Sequence, residues 1–379
     1  MRPGRTPAPR RYRGAVTAAR TPASSAFPAL SVLDLVPVSA GRSRADALAE
    51  MVELARTADR TGYARYYLAE HHGSTTFLAS ATTVLMGQVL AATERIGVSS
   101  GGVMLPNHAP LVIAEQIGTL ATMYPGRVGL GIGRAPGTDP ITAAALRRRA
   151  ADPGRFTEEI LEVLAYLGEV SGDAPAVPGS LLPDDDPGVV APAIPQRVRA
   201  VPGEGTSPRV AVLGSSVNGA RVAGSLGLPF IVASHFAPAP AEAALVTYRS
   251  VFDAQAPTAV DDRLPHASAA VNVMVAETAE EAERLFSTQR AASARTVGGR
   301  PAPLDPPSED VAAWRSLASG KDRVVEASLA LSFVGTADDV AARLRELAEG
   351  WDLDEVLVLT YAHDAAARRQ SYELLAEAW

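Results

Sequence analysis

Cysteine is absent from the 379 residues. Disulfides, thiolate metal sites and cysteine nucleophiles are therefore excluded. No apolar run approaches the ~18 residues of a membrane span. At 47% hydrophobic and 20% charged, with mean hydropathy near zero, the chain has the make-up of an ordinary soluble globular protein. Positive charge is in deficit, the net being −7, which argues against nucleic acid as a partner. Acid is missing locally: residues 1–29 carry six Arg and no Asp or Glu, which leaves −13 for the remainder. The same stretch lacks the apolar core of a secretion signal, which predicts a cytoplasmic protein. Its Arg/Pro/Ala-rich composition cannot bury a core, so 1–29 is expected to be a disordered basic leader and 30–379 the folded domain.

What the chain has is a rhythm. LSVLDLVPV (30–38) reads as a buried strand, and the apolar spacing from Arg44 onward predicts a helix closed by Gly62. ARYYLAE (64–70) is a second strand, followed by a helix over 77–92. Residues 96–139 then read as strand, helix and strand. IGVSSGGVML is followed by LVIAEQIGTLATMY, which Tyr124-Pro125-Gly126 stops, and by RVGLGIG. A helix is predicted over 156–167, and Pro/Gly/Asp-rich residues 171–207 are expected to form an irregular insertion. Strands at 209–214, 229–235, 268–278 and 355–362 alternate with further helices, and 294–312 reads as a Pro-rich loop. Eight short, nearly continuously apolar strands alternating with helices predict an α/β fold, a (β/α)8 TIM barrel with insertions. A doubly wound sheet is the rival.

Barrel active sites lie at the C-terminal ends of strands. Polar residues collect there: Glu70-His71-His72, Asn107-His108, Arg134, Ser215-Ser216, Ser234-His235 and His363-Asp364. Five of the six histidines fall at such ends, and only His266 does not. A barrel metallohydrolase would use several His and an Asp to hold metal. Here the first strand offers no His-x-His, and adjacent His71 and His72 point apart on an extended chain, so no metal is expected. Phosphate is the better fit. Ser215, Ser216 and Asn218 stand at a strand-to-helix junction, where hydroxyls and free N–H groups meet the positive end of a helix. A plain serine N-cap is the alternative. Arg134 and Arg155 could add charge. Gly131-x-Gly133-x-x-x-Gly137 imitates a dinucleotide fingerprint, but its spacing is wrong and supports no NAD(P) site. Gly101-Gly102 inside a strand marks a bulge or a close backbone approach.

With AEHHG, GGVMLPNHAP, AEQ, PGRVGLGIGR, LGSS and GLPF, the chain from about Leu30 onward resembles the luciferase-like monooxygenases, in particular a branch found in natural-product biosynthesis. The resemblance implies a (β/α)8 barrel, usually dimeric, that binds FMN or, in a sister branch, F420. By position, His71 matches the family's catalytic histidine. Gly101 and Gly102 match a small pair beneath the flavin ring, often joined by a non-prolyl cis peptide. Arg134 and, more loosely, Arg155 match phosphate-binding arginines. Ser215, Ser216 and Asn218 match the phosphate loop, and His235 a position near the ring. A cysteine and an acidic residue that some relatives carry are Gly133 and Gly214 here.

The resemblance further implies use of O2 through a C4a-peroxyflavin. The outcome would be epoxidation, hydroxylation or Baeyer–Villiger oxidation of a small organic substrate, such as a polyketide. Reduced flavin (FMNH2) would come from a separate flavin reductase, the working unit would be a homodimer, and 294–312 would be a lid. An F420-dependent hydride-transfer enzyme and a non-catalytic flavin-binding protein are the alternatives on the same barrel.

Overall fold

The structure is a computed structural model, and it describes residues 27–135, 137–146, 153–168 and 198–379. Most of the expected insertion and of the basic leader lies outside them. Along the first half of the chain run β1 (Ala29–Asp34), α1 (Arg44–Thr61), β2 (Arg65–Leu68), α2 (Thr82–Ala92), β3 (Gly97–Ser100), β4 (Val103–Met104), α3 (Pro110–Met123) and β5 (Val128–Gly133). Next come α4 (Pro140–Ala145), α5 (Pro153–Leu167), β6 (Arg209–Gly214), α6 (Val217–Ser225), β7 (Phe230–Val232) and α7 (Ala241–Ser250). The last third holds β8 (Ala267–Val275), α8 (Ala279–Val297), α9 (Asp322–Ser328), β9 (Ser332–Gly335), α10 (Ala337–Gly350), β10 (Glu355–Leu359) and α11 (Ala365–Ala378).

All the strand pairings are parallel, in the order β10-β1-β2-β3-β5-β6-β7-β8, and β10 pairs back with β8 to close an eight-stranded barrel. This is a TIM barrel, as the strand–helix rhythm predicts. Strand alternation divides the core in two. Val32, Tyr66, Leu68, Val98, Ile132, Val212, Val232 and Val358 belong to the layer shared with the helices. Leu33, Leu35, Tyr67, Ala69, Ile231, Ala270 and Leu357 form a second cluster, the lumen. Local chemistry sets the ends. Ser43 caps α1 in a reciprocal box with Asp46, and Gly62, at φ 88°, ends it as expected.

Several expectations need correction. The helix expected over 77–92 begins only at Thr82, and Phe77 instead forms a β-bridge with Pro37. The first strand stops at Asp34, because the Asp34 carboxylate accepts from Val36 N–H at 2.7 Å and Val36 sits at φ 54°, which turns the chain. Barrel strand three is not continuous. It breaks into β3 and β4 at Gly101-Gly102, whose peptide bond is cis. Residues 294–297 are the last turn of α8 rather than loop. A strand absent from the sequence-based expectation, β9, extends β8 beyond the point where β8 leaves β10. With alternating burial (Phe333 inward, Val334 half-exposed), β9 gives only a short apolar run.

The remainder of the expected lid, 298–312, is strapped across the barrel mouth. Leu304 N–H donates to Val38 O at 2.7 Å, and Ala40 N–H donates to Leu304 O at 2.8 Å. Thr75 and Thr76 hydroxyls donate to Pro301 O and Ala302 O, while Arg295 pairs with Asp305 at 2.6 and 3.0 Å. Leu304 itself is buried in the lumen cluster.

The glycines at the β3–β4 break are required by neighbouring strands. A Cβ on Gly101 would meet Tyr67 Cβ at 2.8 Å, and one on Gly102 would lie 2.8 Å from Gly131 O and 3.0 Å from Gly131 C. The second obstacle is core backbone and cannot swing aside. Gly102→Ala is therefore expected to cost about 2–3 kcal/mol. A urea midpoint equal to that of the wild type would show that the strands yield.

Candidate active site

A cavity of about 290 Å³ opens at the C-terminal ends of the strands, close to the ~300 Å³ lower bound of small-molecule sites. Its floor is lumen, with Leu33, Leu35, Ala69, Ile231, Ala270 and Leu357. Gly101, Gly102, Met104 and Gly133 form one wall. One end carries His71 and His235. The other reaches Arg134, Ser215, Ser216 and Asn218.

His71 follows β2, and its main chain is fixed by donation to Ala79 O at 2.6 Å. Its ring lies 5.7 Å from that of Phe77, which in turn lies 5.4 Å from Tyr361. Burial holds the His71 pKa below the usual histidine range. The Glu70 charge opposes this shift and the His72 charge adds to it. His235 comes from the end of β7. Asn272 Nδ2 donates to its carbonyl at 2.6 Å, and its ring stands edge-on to Phe236 at 4.9 Å. Burial, reinforced by the charge of His71, pushes the His235 pKa down to about 3. Both shifts favour the uncharged ring, so both histidines are neutral at pH 7.

At the far end, Ser216 is the N-cap residue of α6, yet its side chain makes no capping bond. A hydroxyl and unbonded first-turn N–H groups at a helix N-terminus are an anion site. Asn218 lies in that first turn, and its Oδ1 accepts from Arg221 at 3.4 Å. Arg155, the other expected phosphate arginine, is not on the cavity wall. It pairs with Glu159 at 3.3 Å, and its neighbour Phe156 lines the cavity instead.

The other strand-end histidines serve different purposes. His72 and His108 both turn Nε2 onto Glu70, at 2.9 Å from Oε1, and His108 also lies 3.0 Å from Oε2. Asn107 Nδ2 and Met104 N–H add two bonds of 3.1 Å. Burial would raise the Glu70 pKa, but the bonds from His108 and His72, the charge of His108 and the bond from Asn107 hold it down to about 2. Among the described residues, Glu70, His72 and His108 are the one group whose ligand atoms are close enough for a metal. The carboxylate, however, already receives four donors, and a metal would have to replace the Nε2 protons of both histidines. His363 donates from Nε2 to Ala40 O at 3.0 Å and lines a separate pocket, and His266 sits between Asp262 and Asp354 before β8. His71 and His235 alone therefore face the cavity. Phe236, exposed beside His235, and Phe156 are cavity residues the sequence reading passed over. An aromatic next to each named site residue was the available signal.

The luciferase-like monooxygenase family model matches residues 29–352. The chain belongs to the luciferase-like monooxygenase family. It is 40% identical to YvbT of Bacillus subtilis over 92% of this chain and 96% of that one. It is also 40% identical to a luciferase-like monooxygenase of Escherichia coli K12, over 91% and 95% of the two chains. The crystal structure of apo-MsnO8 superposes with a TM-score of 0.76 at 33% identity, covering 93% of this chain and 98% of that one. More distant luciferase-like folds include an oxygenating constituent of 3,6-diketocamphane monooxygenase in complex with FMN, at 19% identity, and an F420-dependent secondary alcohol dehydrogenase, at 14%. The shared fold thus does not choose the cofactor.

Proposed function

We propose that this luciferase-like monooxygenase is an FMNH2-dependent, two-component enzyme that uses O2 to oxidise a small organic substrate. The observation that carries the reading is the cavity itself, with two neutral histidines at one end and an uncapped helix N-terminus beside Arg134 at the other. FMN fits this donor set. Ser215, Ser216 and the first N–H groups of α6 would take its phosphate with Arg134. Gly101 and Gly102, which present no side chain, would face its ring. Arg155 could join the phosphate only by leaving Glu159. Bound reduced FMN supplies two electrons and the position at which O2 is activated.

The chain's own residues do the rest. The apolar floor and the 298–312 strap exclude water. His71, uncharged at neutral pH, accepts or donates a proton at its ring nitrogen. The cavity wall carries one Arg and no Lys, Asp or Glu among the described residues, which suits an uncharged substrate. A polycyclic or aromatic polyketide is of that kind. Reduced flavin would be delivered by a separate flavin reductase, as the resemblance to two-component members of the family implies; among the described residues the cavity wall offers one helix N-terminus for a phosphate, that of α6. A homodimer through α2 and α3 suits the apolar side chains those helices leave exposed: Val84, Val112 and Met123. Thr83 and Gln116 bond the two helices at 2.9 Å.

Anaerobic titration with reduced FMN and with reduced F420, followed by addition of oxygen, tests the reading. FMNH2 should bind to a dimer by light scattering and reoxidise more slowly than in free solution. Tight F420 binding without FMNH2 binding would transfer the chain to hydride chemistry. Bound FMN that no substrate oxidation accompanies would make it a flavin-binding protein.

A further inference from the structure

Glu70 is 1% exposed, and its carboxylate receives four donors from two segments of chain. His72 belongs to the loop after β2, which also carries His71. Met104 N–H, Asn107 and His108 belong to the segment that leaves Gly101-Gly102. His72 ties in a third loop, the one after β5. Its N–H donates to Gly137 O at 3.2 Å, and its carbonyl accepts from Thr138 Oγ1 at 2.9 Å. These three segments supply His71, Met104, Arg134 and Gly137 to the cavity wall. An uncharged amide could not take Glu70's place without loss. It accepts through one oxygen only, and its NH2 would face another donor.

We propose that Glu70 is the positioning residue of the site: one buried anion sets the His71 loop, the segment after Gly101-Gly102 and the loop carrying Arg134 in register with one another. The proton-handling end and the phosphate end of the cavity are then coupled through a group that touches neither substrate nor cofactor. The proposal rests on the function read above for the roles of those ends.

Glu70→Gln, Glu70→Asp and His108→Gln, each compared with wild type, test it through two readouts that need no turnover. One is FMN affinity by fluorescence quenching. The other is the titration of the His71 imidazole by NMR on histidine-labelled protein. The charged or titratable groups facing His71 are Glu70 and His72 from its own loop and His235 across the cavity. Glu70→Gln removes the one anion among them. The His71 titration should move to lower pH and FMN binding should weaken by about tenfold or more. Glu70→Asp keeps the charge and shortens the reach, so the His71 titration should return towards wild type while FMN stays weakly bound. His108→Gln keeps one donor and should fall between wild type and Glu70→Gln, and it carries the test if Glu70→Gln does not fold.

FMN affinity and His71 titration both unchanged in Glu70→Gln, or in His108→Gln where that variant stands in, would overturn the proposal. Wild-type protein that binds no FMN while the His71 titration still follows Glu70 would overturn the cofactor reading and leave the positioning role standing.

Discussion

Alanine in place of His71 is expected to leave FMN bound and to lower product formation by about 10²–10⁴-fold. Oxygen would still be consumed, and it would leave as H2O2. The two effects separate because the site is long. His71 stands at the barrel mouth with Phe77 and Tyr361, whereas the phosphate end is built on Arg134 and α6. Burial keeps His71 below its usual range, so its ring is neutral above that pH and gains a proton only in acid. Coupling of oxygen to product should therefore be flat through neutrality and fall as pH drops through the His71 titration. An oxygen electrode with and without catalase reads the split. Wild-type coupling in the variant would remove His71 from the chemistry.

The largest loss of stability is expected from Arg368→Met. Arg368 on α11 donates from Nη2 to Asp34 Oδ1 at 2.7 Å, and the two side chains are 4% and 0% exposed. Tyr66 holds the second Asp34 oxygen, and Arg368 Nε donates to Thr360 O at 3.0 Å. Methionine fills the volume and strands the Asp34 charge in the barrel wall. Breaking a buried pair from one side costs about 3–5 kcal/mol, a large share of the ~5–15 kcal/mol that holds a domain together. Adding Asp34→Leu should restore part of the loss, because the desolvated charge goes with it. Denaturant midpoints of the single and double variants decide this. A double variant no better than the single one would mean that the pair fixes the end of β1 and does not merely neutralise itself.

The barrel was legible because its signals are local. Apolar runs of strand length, helix periodicity and stops such as Gly62 each fix one unit, and eight repeats leave little choice of architecture. β9 escaped because its register is set by β8, distant in sequence. The site was half legible for the same reason. His71, Arg134, Ser216 and His235 could be named from strand ends, since the fold brings all such ends to one face. What the sequence could not show was which way each side chain turns. His72 and His108 sit at strand ends too, but both turn to Glu70, a residue whose burial is visible only once three loops meet. Gly101 and Gly102 were read as making room for a ring. Their missing Cβ atoms make room first for Tyr67 and Gly131, on the two strands that flank them in the barrel.

The strap over the mouth bears on timing. Its bonds to Val38 and Ala40 flank Leu304 on both sides, and the Thr75, Thr76 and Arg295 contacts brace the same few residues. Such a latch does not fray from one end. Opening would have to release these bonds together, which belongs to the microsecond-to-millisecond scale of lid motions and not to the pace of a single side chain. If the strap is the lid of the proposed enzyme, admission past it is a scheduled event, and turnover should be paced by the latch and not by the frequency of collision.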